Sequence, residues 1–291
     1  MNTLRIFLER MKLLSYVDDI LIQNLKEILE QDWEVDNRAK WEDGTPVMTK
    51  RILQVQNKYD LSKGFPITSL RNINYKAAID EILWIYSKMS NNIKDLNSRI
   101  WDKWADENGY IQKAYGYQIA KPTMGYPSQI HYVLNEIKTN PTSRRIMMNM
   151  FNAEEQLTKA TESLVECAYA THFSVKNGKL HMTLIQRSGD FLTAAGAGGW
   201  NVVQYAALQH AIAQECNLEV GILTHFVQDL HLYNKHVEQA LELIRRYKET
   251  GSYRLPQLKI KKKSFFELTA DDFELVNYKN HGSIGKIEVA V

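Results

Sequence analysis

The feature that most restricts the fold is a change of hydrophobic period near the middle of the chain. Apolar side chains recur at helical spacing up to about residue 139, but they alternate with period two over residues 169–175 and 180–184. Asn177-Gly178 separates the two alternating runs, and this dipeptide tolerates the positive φ angles of a two-residue hairpin turn. An antiparallel hairpin excludes a purely parallel sheet, so we predict an α+β fold.

Other segments give a coarse order of elements. Helical spacing predicts helices over residues 3–31, 75–97, 128–139, 201–216 and 233–248. Strands are predicted over residues 219–229, 257–263 and 285–291. No repeat, low-complexity tract or flexible linker divides the sequence, so we expect a single domain over residues 1–291.

Composition excludes several classes of protein. Lys and Arg number 36 against 34 Asp and Glu, and the net charge of +2 argues against a broad basic face for nucleic acid. The N-terminus lacks the apolar core of a signal peptide, and the uncharged stretch over 191–214 is too polar to span a bilayer. Two cysteines exclude a disulfide scaffold and fit a reducing cytoplasm. We therefore expect a cytoplasmic protein with no membrane segment, no metal site and no nucleic acid required for its activity.

Six short segments carry information beyond periodicity. In chain order they read IWDKWADENG (100–109), AYGYQ (114–118), NPTSRR (140–145), GKL to QRSGD (178–190), DLHLY (229–233) and EVAV (288–291). With Cys167 between the third and the fourth, the chain resembles the thymidylate synthase and pyrimidine nucleotide hydroxymethylase superfamily. The resemblance implies one large mixed β-sheet with packed helices, and a homodimer formed through that sheet.

The resemblance also implies a reaction. In the family a cysteine thiolate adds to C6 of a pyrimidine, and C5 then takes a one-carbon unit from 5,10-methylenetetrahydrofolate. The implied activity is the folate-dependent methylation of dUMP to dTMP. One alternative is a hydroxymethylase of dUMP or dCMP, in which water takes the place of hydride. Another is a homologue that binds nucleotide or messenger RNA and has lost catalysis.

The catalytic residues follow from the resemblance. Cys167 corresponds to the nucleophile, and nearby arginines should favour its thiolate, because a free thiol is only a few per cent ionised at pH 7. Glu81 corresponds to a glutamate that acts through water in proton transfers, and Tyr115 joins the same network. Cys216 lies on the apolar face of a predicted helix, where we expect a small buried side chain.

Five residues are candidates for the nucleotide phosphate. Arg187 and Ser188 correspond to ligands from the same chain, whereas Arg144 and Arg145 correspond to a pair that reaches into the partner's site. Arg38 is the candidate for a further arginine in an N-terminal loop. Guanidinium groups suit this role because their planar forks match phosphate oxygens.

The base and the sugar have their own candidates. Asn201 corresponds to the residue that pairs with N3 and O4 of the pyrimidine, with Gln186 also assigned to the nucleotide. The amide of Asn201 suits uracil in one orientation and cytosine in the other; the family favours uracil. Asn201 would equally suit the N-cap of a helix. His231 and Tyr233, on one face of a strand or at its end, correspond to contacts with the ribose 3′ hydroxyl.

The folate candidates are Trp101, Trp104, Asp190 and the C-terminal Val291. For the two tryptophans, packing in the core is the alternative.

Three departures from the family pattern fall near the nucleophile and the folate side. Residues 165–168 read VECA where the family has proline before the cysteine, and a carboxylate pointing inward here would oppose thiolate formation. Residues 192–201 replace the pattern Leu-Gly-x-Pro-Phe-Asn with a loop about three residues longer. Thr68-Ser69-Leu70 stands where many synthases have Thr-Thr-Lys, so a basic group is expected to be missing.

Overall fold

The computed structural model describes residues 15–156 and 165–290. Its helices are α1 (Tyr16–Leu29), α2 (Tyr75–Tyr86), α3 (Gly116–Ile119), α4 (Gln129–Thr139), α5 (Ala153–Gln156), α6 (Trp200–Glu215) and α7 (Val237–Glu249). Its strands are β1 (Glu34–Lys40), β2 (Pro46–Asp60), β3 (Met147–Asn149), β4 (Ala168–Lys176), β5 (Lys179–Gln186), β6 (Gly189–Asp190), β7 (Glu219–Tyr233), β8 (Gln257–Ile260) and β9 (Phe273–Val276). None of these helices is long and apolar enough to cross a bilayer.

Seven strands form one mixed sheet. Its order is β1-β2-β7-β5-β4-β3, and the short strand β6 also pairs with β7. The pairs β5–β7 and β6–β7 are parallel, while the remaining neighbours are antiparallel. Strands β8 and β9 form a separate antiparallel pair. The predicted α+β class with a large mixed sheet is confirmed.

Helix α6 is the central helix of the core. It packs on β5 and β7 and also contacts α2. Most of its side chains are buried, including Val202, Leu208 and Ile212, which is expected of a helix covered on several sides. The first turns of α6 and the ends of the central strands therefore meet at one edge of the core.

The hairpin matches its prediction closely. Strands β4 and β5 pair in antiparallel fashion, and Asn177 and Gly178 between them have φ angles of 53° and 71°. Helix α4 ends at Thr139, next to the Asn140-Pro141 pair that was expected to stop it. Helix α6 also lies within one residue of its predicted ends.

Other boundaries were wrong. Helix α2 ends at Tyr86 rather than 97, because Met89 takes a φ of 53° that no helix continues through. Strand β7 extends to Tyr233, so α7 begins only at Val237. Residues 261–263 lie beyond the end of β8, and residues 285–290 form no strand. Of the predicted first helix, residues 3–14 lie outside the described residues.

Five strands were not foreseen, namely β1, β2, β3, β6 and β9. The longest of them, β2, loses its alternation at Gln54, where φ is 57° and the ladder with β7 is interrupted. A test for period two therefore misses it.

Candidate active site

A cavity of about 530 Å³ lies where α2, α6 and the ends of β5 and β7 meet. The sequence candidates that line it are Glu81, Trp101, Trp104, Tyr115, Cys167, Gln186, Ser188, Asp190, Asn201, His231 and Tyr233. Residues separated by up to 152 positions in the chain thus converge on one space. The fold brings the predicted thiol, carboxylates, amides and indoles together.

The thiol of Cys167 lies beside a guanidinium group. Arg187 Nη2 is 3.5 Å from the sulfur and also donates to the carbonyl oxygen of Val165 at 2.8 Å. Arg187 Nε donates to the Glu166 carbonyl oxygen at 3.0 Å. The backbone N–H of Arg187 donates to the Cys167 carbonyl oxygen at 2.9 Å. A positive charge held this firmly next to sulfur favours the thiolate.

The carboxylate beside the nucleophile points inward. Glu166 is fully buried, and its Oε1 accepts the backbone N–H of Tyr115 at 3.4 Å. The tyrosine hydroxyl in turn accepts the backbone N–H of Cys167 at 3.3 Å. Burial, followed by the nearby Cys167, raises the pKa of Tyr115 well above its usual value, so this phenol stays protonated. The positive charge of Arg187 opposes the effect that Glu166 would have on the sulfur.

Tyr115 is placed by an unusual turn. Its φ is 47°, and it is the N-cap of α3, immediately before Gly116. A Cβ on Gly116 would lie 1.9 Å from the carbonyl oxygen of Ser90, so the turn can close only with glycine here. The ring of Tyr115 then packs against Trp101, with centroids 5.2 Å apart.

Glu81 is buried on α2 and held by two indoles. Trp200 Nε1 donates to its Oε2 at 2.8 Å, and Trp101 Nε1 donates to its Oε1 at 3.2 Å. Burial raises the pKa of Glu81 to about 7, although the side-chain donors Trp200, Gln204 and Trp101 oppose this shift. A carboxyl group with this pKa can both accept and release a proton near neutral pH.

A directional chain of amides fixes the orientation of Asn201. Gln186 Nε2 donates to the Ser188 carbonyl oxygen at 2.9 Å and to Asn201 Oδ1 at 3.1 Å. A carbonyl oxygen can only accept, so the Gln186 amide cannot be reversed without opposing two acceptors. Asn201 Nδ2 donates onward to Gln204 Oε1 at 2.9 Å. The amide of Asn201 therefore has one orientation in this network.

His225 supports the other end of that chain. Its Nε2 lies 2.8 Å from Gln186 Oε1, and this nitrogen must carry the hydrogen because the oxygen only accepts. Burial lowers the pKa of His225 to about 3, so the imidazole is neutral. Asn201 itself is the second residue of α6, whose N-cap is Gly199; the N-cap role considered for Asn201 is wrong.

The two sugar candidates lie at the end of β7. The rings of His231 and Tyr233 are in edge contact, with centroids 5.0 Å apart. Asp229 Oδ1 lies 3.1 Å from His231 Nδ1, and Arg51 Nη1 from β2 donates to Asp229 Oδ2 at 2.9 Å. Asp229 lies in the DLHLY segment with His231 and Tyr233, and this position in the sequence could have indicated that it orients His231.

Asp190 caps the turn that leads into the lengthened loop. It accepts the backbone N–H of Leu192 at 2.9 Å and the hydroxyl of Thr193 at 2.6 Å. Burial acts to raise the pKa of Asp190, but His236 and Thr193 outweigh it and lower that pKa. The carboxylate is therefore charged where it borders the cavity.

A basic group does border the cavity, contrary to the expectation drawn from Leu70. Arg71, the next residue, lines the same space and donates through Nη2 to the Leu192 carbonyl oxygen. Burial lowers its pKa to about 10, which leaves it charged at neutral pH. The basic residue is therefore present in the sequence, one position after Leu70.

Of the remaining candidates, Arg187 contacts the thiol of Cys167, two are exposed away from the cavity lining, and the side chains of two fall outside the described residues. Arg144 and Arg145 are exposed on the turn before β3, where the Arg145 carbonyl oxygen accepts the Tyr132 hydroxyl at 3.0 Å. Arg38 lies in β1, but its side chain is outside the described residues, as is all of Val291. The neighbouring Val289 and Ala290 do line the cavity.

Comparison with known proteins agrees with this geometry. The family model described as thymidylate synthase matches residues 20–291. A thymidylate synthase of Bacillus mojavensis is 38% identical over 280 residues, covering 92% of this chain and 96% of that protein. One from Bacillus phage phi3T is 36% identical over 287 residues, covering 95% and 97%.

A solved structure agrees as well. The thermostable thymidylate synthase A from Bacillus subtilis superimposes with a TM-score of 0.84 at 34% identity, covering 94% of this chain and 99% of that one. The expected fold and the expected methyltransferase class are thereby confirmed. By its sequence, its fold and the side chains around Cys167, the chain belongs to the thymidylate synthase family.

Proposed function

We propose that the protein methylates dUMP to dTMP with 5,10-methylenetetrahydrofolate as co-substrate, and that Cys167 is the nucleophile. The observation that carries the proposal is the position of the thiol beside Arg187 and within the same cavity as Glu81 and Asn201. The membership of the family supports the reaction, whereas the roles of individual residues rest on the geometry.

The first step uses the sulfur. The Cys167 thiolate adds to C6 of the uracil, and the C5=C6 π electrons move toward C5 and O4. Arg187 favours the ionised sulfur before this step through its contact at 3.5 Å. Arg187 and Ser188 are the proposed phosphate ligands from the same chain. C5 would then bond the one-carbon unit and lose its proton, with the folate amine as the leaving group. The electron pair placed on C5 when hydride adds to that carbon would expel the sulfur from C6 and regenerate the thiolate.

Glu81 is the proposed relay for protons at C5 and O4. Its pKa of about 7 matches a group that must exchange a proton near neutral pH. Tyr115, which stays protonated, completes the wall beside the sulfur through its hydrogen bond with the Cys167 backbone.

The surroundings fit a folate. Trp101 and Trp104 are in edge contact at 5.5 Å and offer a surface for a flat ring system, with Asp190 for its N–H groups and Arg71 for an anionic tail. When bound, methylenetetrahydrofolate supplies the one-carbon unit and the hydride that reduces it. Trp104, Val291 and the preceding residues 289–290 are the proposed cover that keeps water from the reaction.

A homodimer completes the proposed phosphate site. Val35 on β1 and Met147 on β3 are 57% and 47% exposed, and the strand register places both on the sheet face opposite His231. Large exposed apolar side chains on one face of a sheet are typical of a surface that another subunit covers. We propose that Arg144 and Arg145 act in the partner's cavity, and that Arg38 adds a further phosphate contact. We further propose one catalytic domain over residues 1–291, a cytoplasmic location and no requirement for nucleic acid.

Product analysis tests the proposed function. With dUMP and methylenetetrahydrofolate, we expect a product whose mass corresponds to dTMP. The hydroxymethylated product would be heavier by one oxygen and would instead support the alternative from the superfamily. The lengthened loop supplies the indole of Trp200 to Glu81, and no finding favours hydroxymethylation. Absence of any folate-dependent release of the C5 hydrogen would point to a homologue without catalysis.

Base choice gives a second test. Asn201 is oriented by Gln186 and Gln204 so that it accepts from N3–H and donates to O4, which fits uracil. We expect dUMP to be preferred over dCMP by about tenfold or more, because the wrong base leaves buried polar groups unpaired. Asn201→Asp should narrow or reverse the preference, since a carboxylate accepts from the cytosine amino group. Competitive steady-state kinetics measure it.

Asn201→Ala is the matched control for that substitution. It removes both hydrogen bonds to the base and should lower kcat/KM for both dUMP and dCMP, without making dCMP the better substrate. Equal efficiency of the parent protein with dUMP and dCMP would contradict the role of Asn201.

A further inference from the structure

The lengthened loop ends in a residue that the family pattern does not have. Where the pattern Leu-Gly-x-Pro-Phe-Asn places phenylalanine before the asparagine, this chain has Trp200 before Asn201. A phenylalanine ring has no N–H group, whereas the Trp200 indole donates to Glu81 Oε2 at 2.8 Å. Trp101 donates to the other oxygen, so both oxygens of Glu81 accept an indole N–H.

The backbone of the loop fixes the position of this indole. The Gly198 carbonyl oxygen accepts the Thr68 N–H at 3.0 Å, and the Gly199 N–H donates to the Gly196 carbonyl oxygen at 2.8 Å. Gly198 has a φ of 67°, and a Cβ there would lie 2.4 Å from the Thr68 nitrogen. Trp200 follows directly as the first residue of α6, so the loop has little freedom to move it.

We propose that Trp200 is a positioning residue that holds the Glu81 carboxylate in one rotamer and favours its ionised form. This inference deepens the proposed function and rests on it for the use that the reaction makes of Glu81. The contact supplies a fixed N–H donor to the second oxygen of Glu81, beside the donor that Trp101 gives to the first. It gives the lengthened loop a part in proton transfer as well as in closing the cavity.

The electrostatics around Glu81 make such a donor effective. Burial raises the pKa of Glu81 to about 7, and the nearby charge of Asp80 on the same helix adds to that rise. The other titratable groups that face it are Tyr115, before α3, and Tyr205, on α6. Burial raises the pKa of both phenols well above the usual value, so both stay neutral beside the carboxylate. N–H donors are therefore what favours the anion.

A direct titration tests the proposal without nucleotide or folate. In protein labelled with ¹³C at the side-chain carboxyl of glutamate, Glu81→Gln identifies the signal of Glu81. Trp200→Phe keeps the ring and removes the N–H, so the titration midpoint of Glu81 should rise by about one to two pH units. Trp84→Phe is the matched control, because the indole of this α2 residue donates to the Asn92 carbonyl oxygen at 3.0 Å and should leave the midpoint unchanged.

The pH dependence of kcat gives an independent measurement. Removal of a donor raises the pKa of Glu81, so the acid limb of the profile should move to higher pH by the same amount as the midpoint. At pH 6 the variant should then lose about tenfold to a hundredfold in kcat relative to the parent, and it should recover at alkaline pH. A merely structural loss would lower the whole profile without moving the limb.

The parent protein alone provides a second route if Trp200→Phe does not fold. Of the six indole N–H signals, those of Trp101 and Trp200 should titrate with the midpoint of Glu81, and both should stop doing so in Glu81→Gln. An unchanged midpoint in folded Trp200→Phe, or indole signals that do not follow Glu81, would overturn the proposal. These measurements need no turnover, so a failure of the proposed function, seen as no dTMP, is a separate result.

Discussion

Cys167→Ser should lower kcat by on the order of 10⁴-fold or more while the binding of dUMP stays within a few-fold of the parent. The serine hydroxyl is not ionised near neutral pH, so no anion is available to add to C6. The contacts proposed for the phosphate and the base do not involve the sulfur. Isothermal titration with dUMP and a tritium-release assay from C5 measure the two effects separately.

Cys216→Ser is the matched control. This thiol lies at the C-terminus of α6 against the Leu134 carbonyl oxygen at 3.9 Å, and burial raises its pKa to about 11. It is outside the cavity lining, so the variant should retain activity. Near-parental turnover by Cys167→Ser would mean that the nucleophile has been assigned to the wrong residue.

Mixing two inactive variants should restore activity if the partner's arginines complete each site. Arg144→Ala and Cys167→Ser are each expected to be impaired as homodimers. In a heterodimer, the chain with the intact cysteine receives intact arginines from the other chain, so one of its two sites is complete. Because an isologous dimer makes the exchange reciprocal, random mixing should yield about a quarter of the parental activity.

The mixture of Cys167→Ser with Cys167→Ala is the control for subunit exchange. Neither chain carries the thiol, so no heterodimer has a complete site and no activity should appear. Native mass spectrometry can establish that heterodimers form in both mixtures. If heterodimers of Arg144→Ala with Cys167→Ser remain inactive, Arg144 acts within its own chain or has no part in the site.

Local patterns account for the parts of the fold that the sequence predicted well. The hairpin of β4 and β5 follows from strict alternation on both sides of Asn177-Gly178, and α4 follows from Ser128 at its N-cap, whose hydroxyl accepts the His131 N–H. The site residues depended on the six segments instead, since periodicity says nothing about chemistry. Periodicity and the short family segments are both patterns among residues that are close in the sequence.

Tertiary contacts account for most of what was missed. Trp200 makes its contact with Glu81 across 119 positions of sequence, and Arg51 reaches Asp229 across 178. The expected strand over 285–291 does not form over its described residues, 285–290, for a similar reason. The Glu288 carbonyl oxygen lies 2.8 Å from His236 Nε2, and its carboxylate accepts from Lys235 Nζ at 3.2 Å. These contacts come from side chains of the turn before α7 and not from the backbone of a neighbouring strand.

Strand β7 limits how the chain can change in length. His225, Asp229, His231 and Tyr233 occupy odd positions along it, so all four side chains lie on the same face, while Leu230 and Leu232 are buried on the other. The insertion or deletion of one residue between His225 and His231 would place these two side chains on opposite faces of the sheet. His225 positions the base-binding amides through Gln186, whereas His231 is the candidate for the sugar. Substitutions along β7 change one contact each, but a one-residue insertion or deletion separates the two halves of the site.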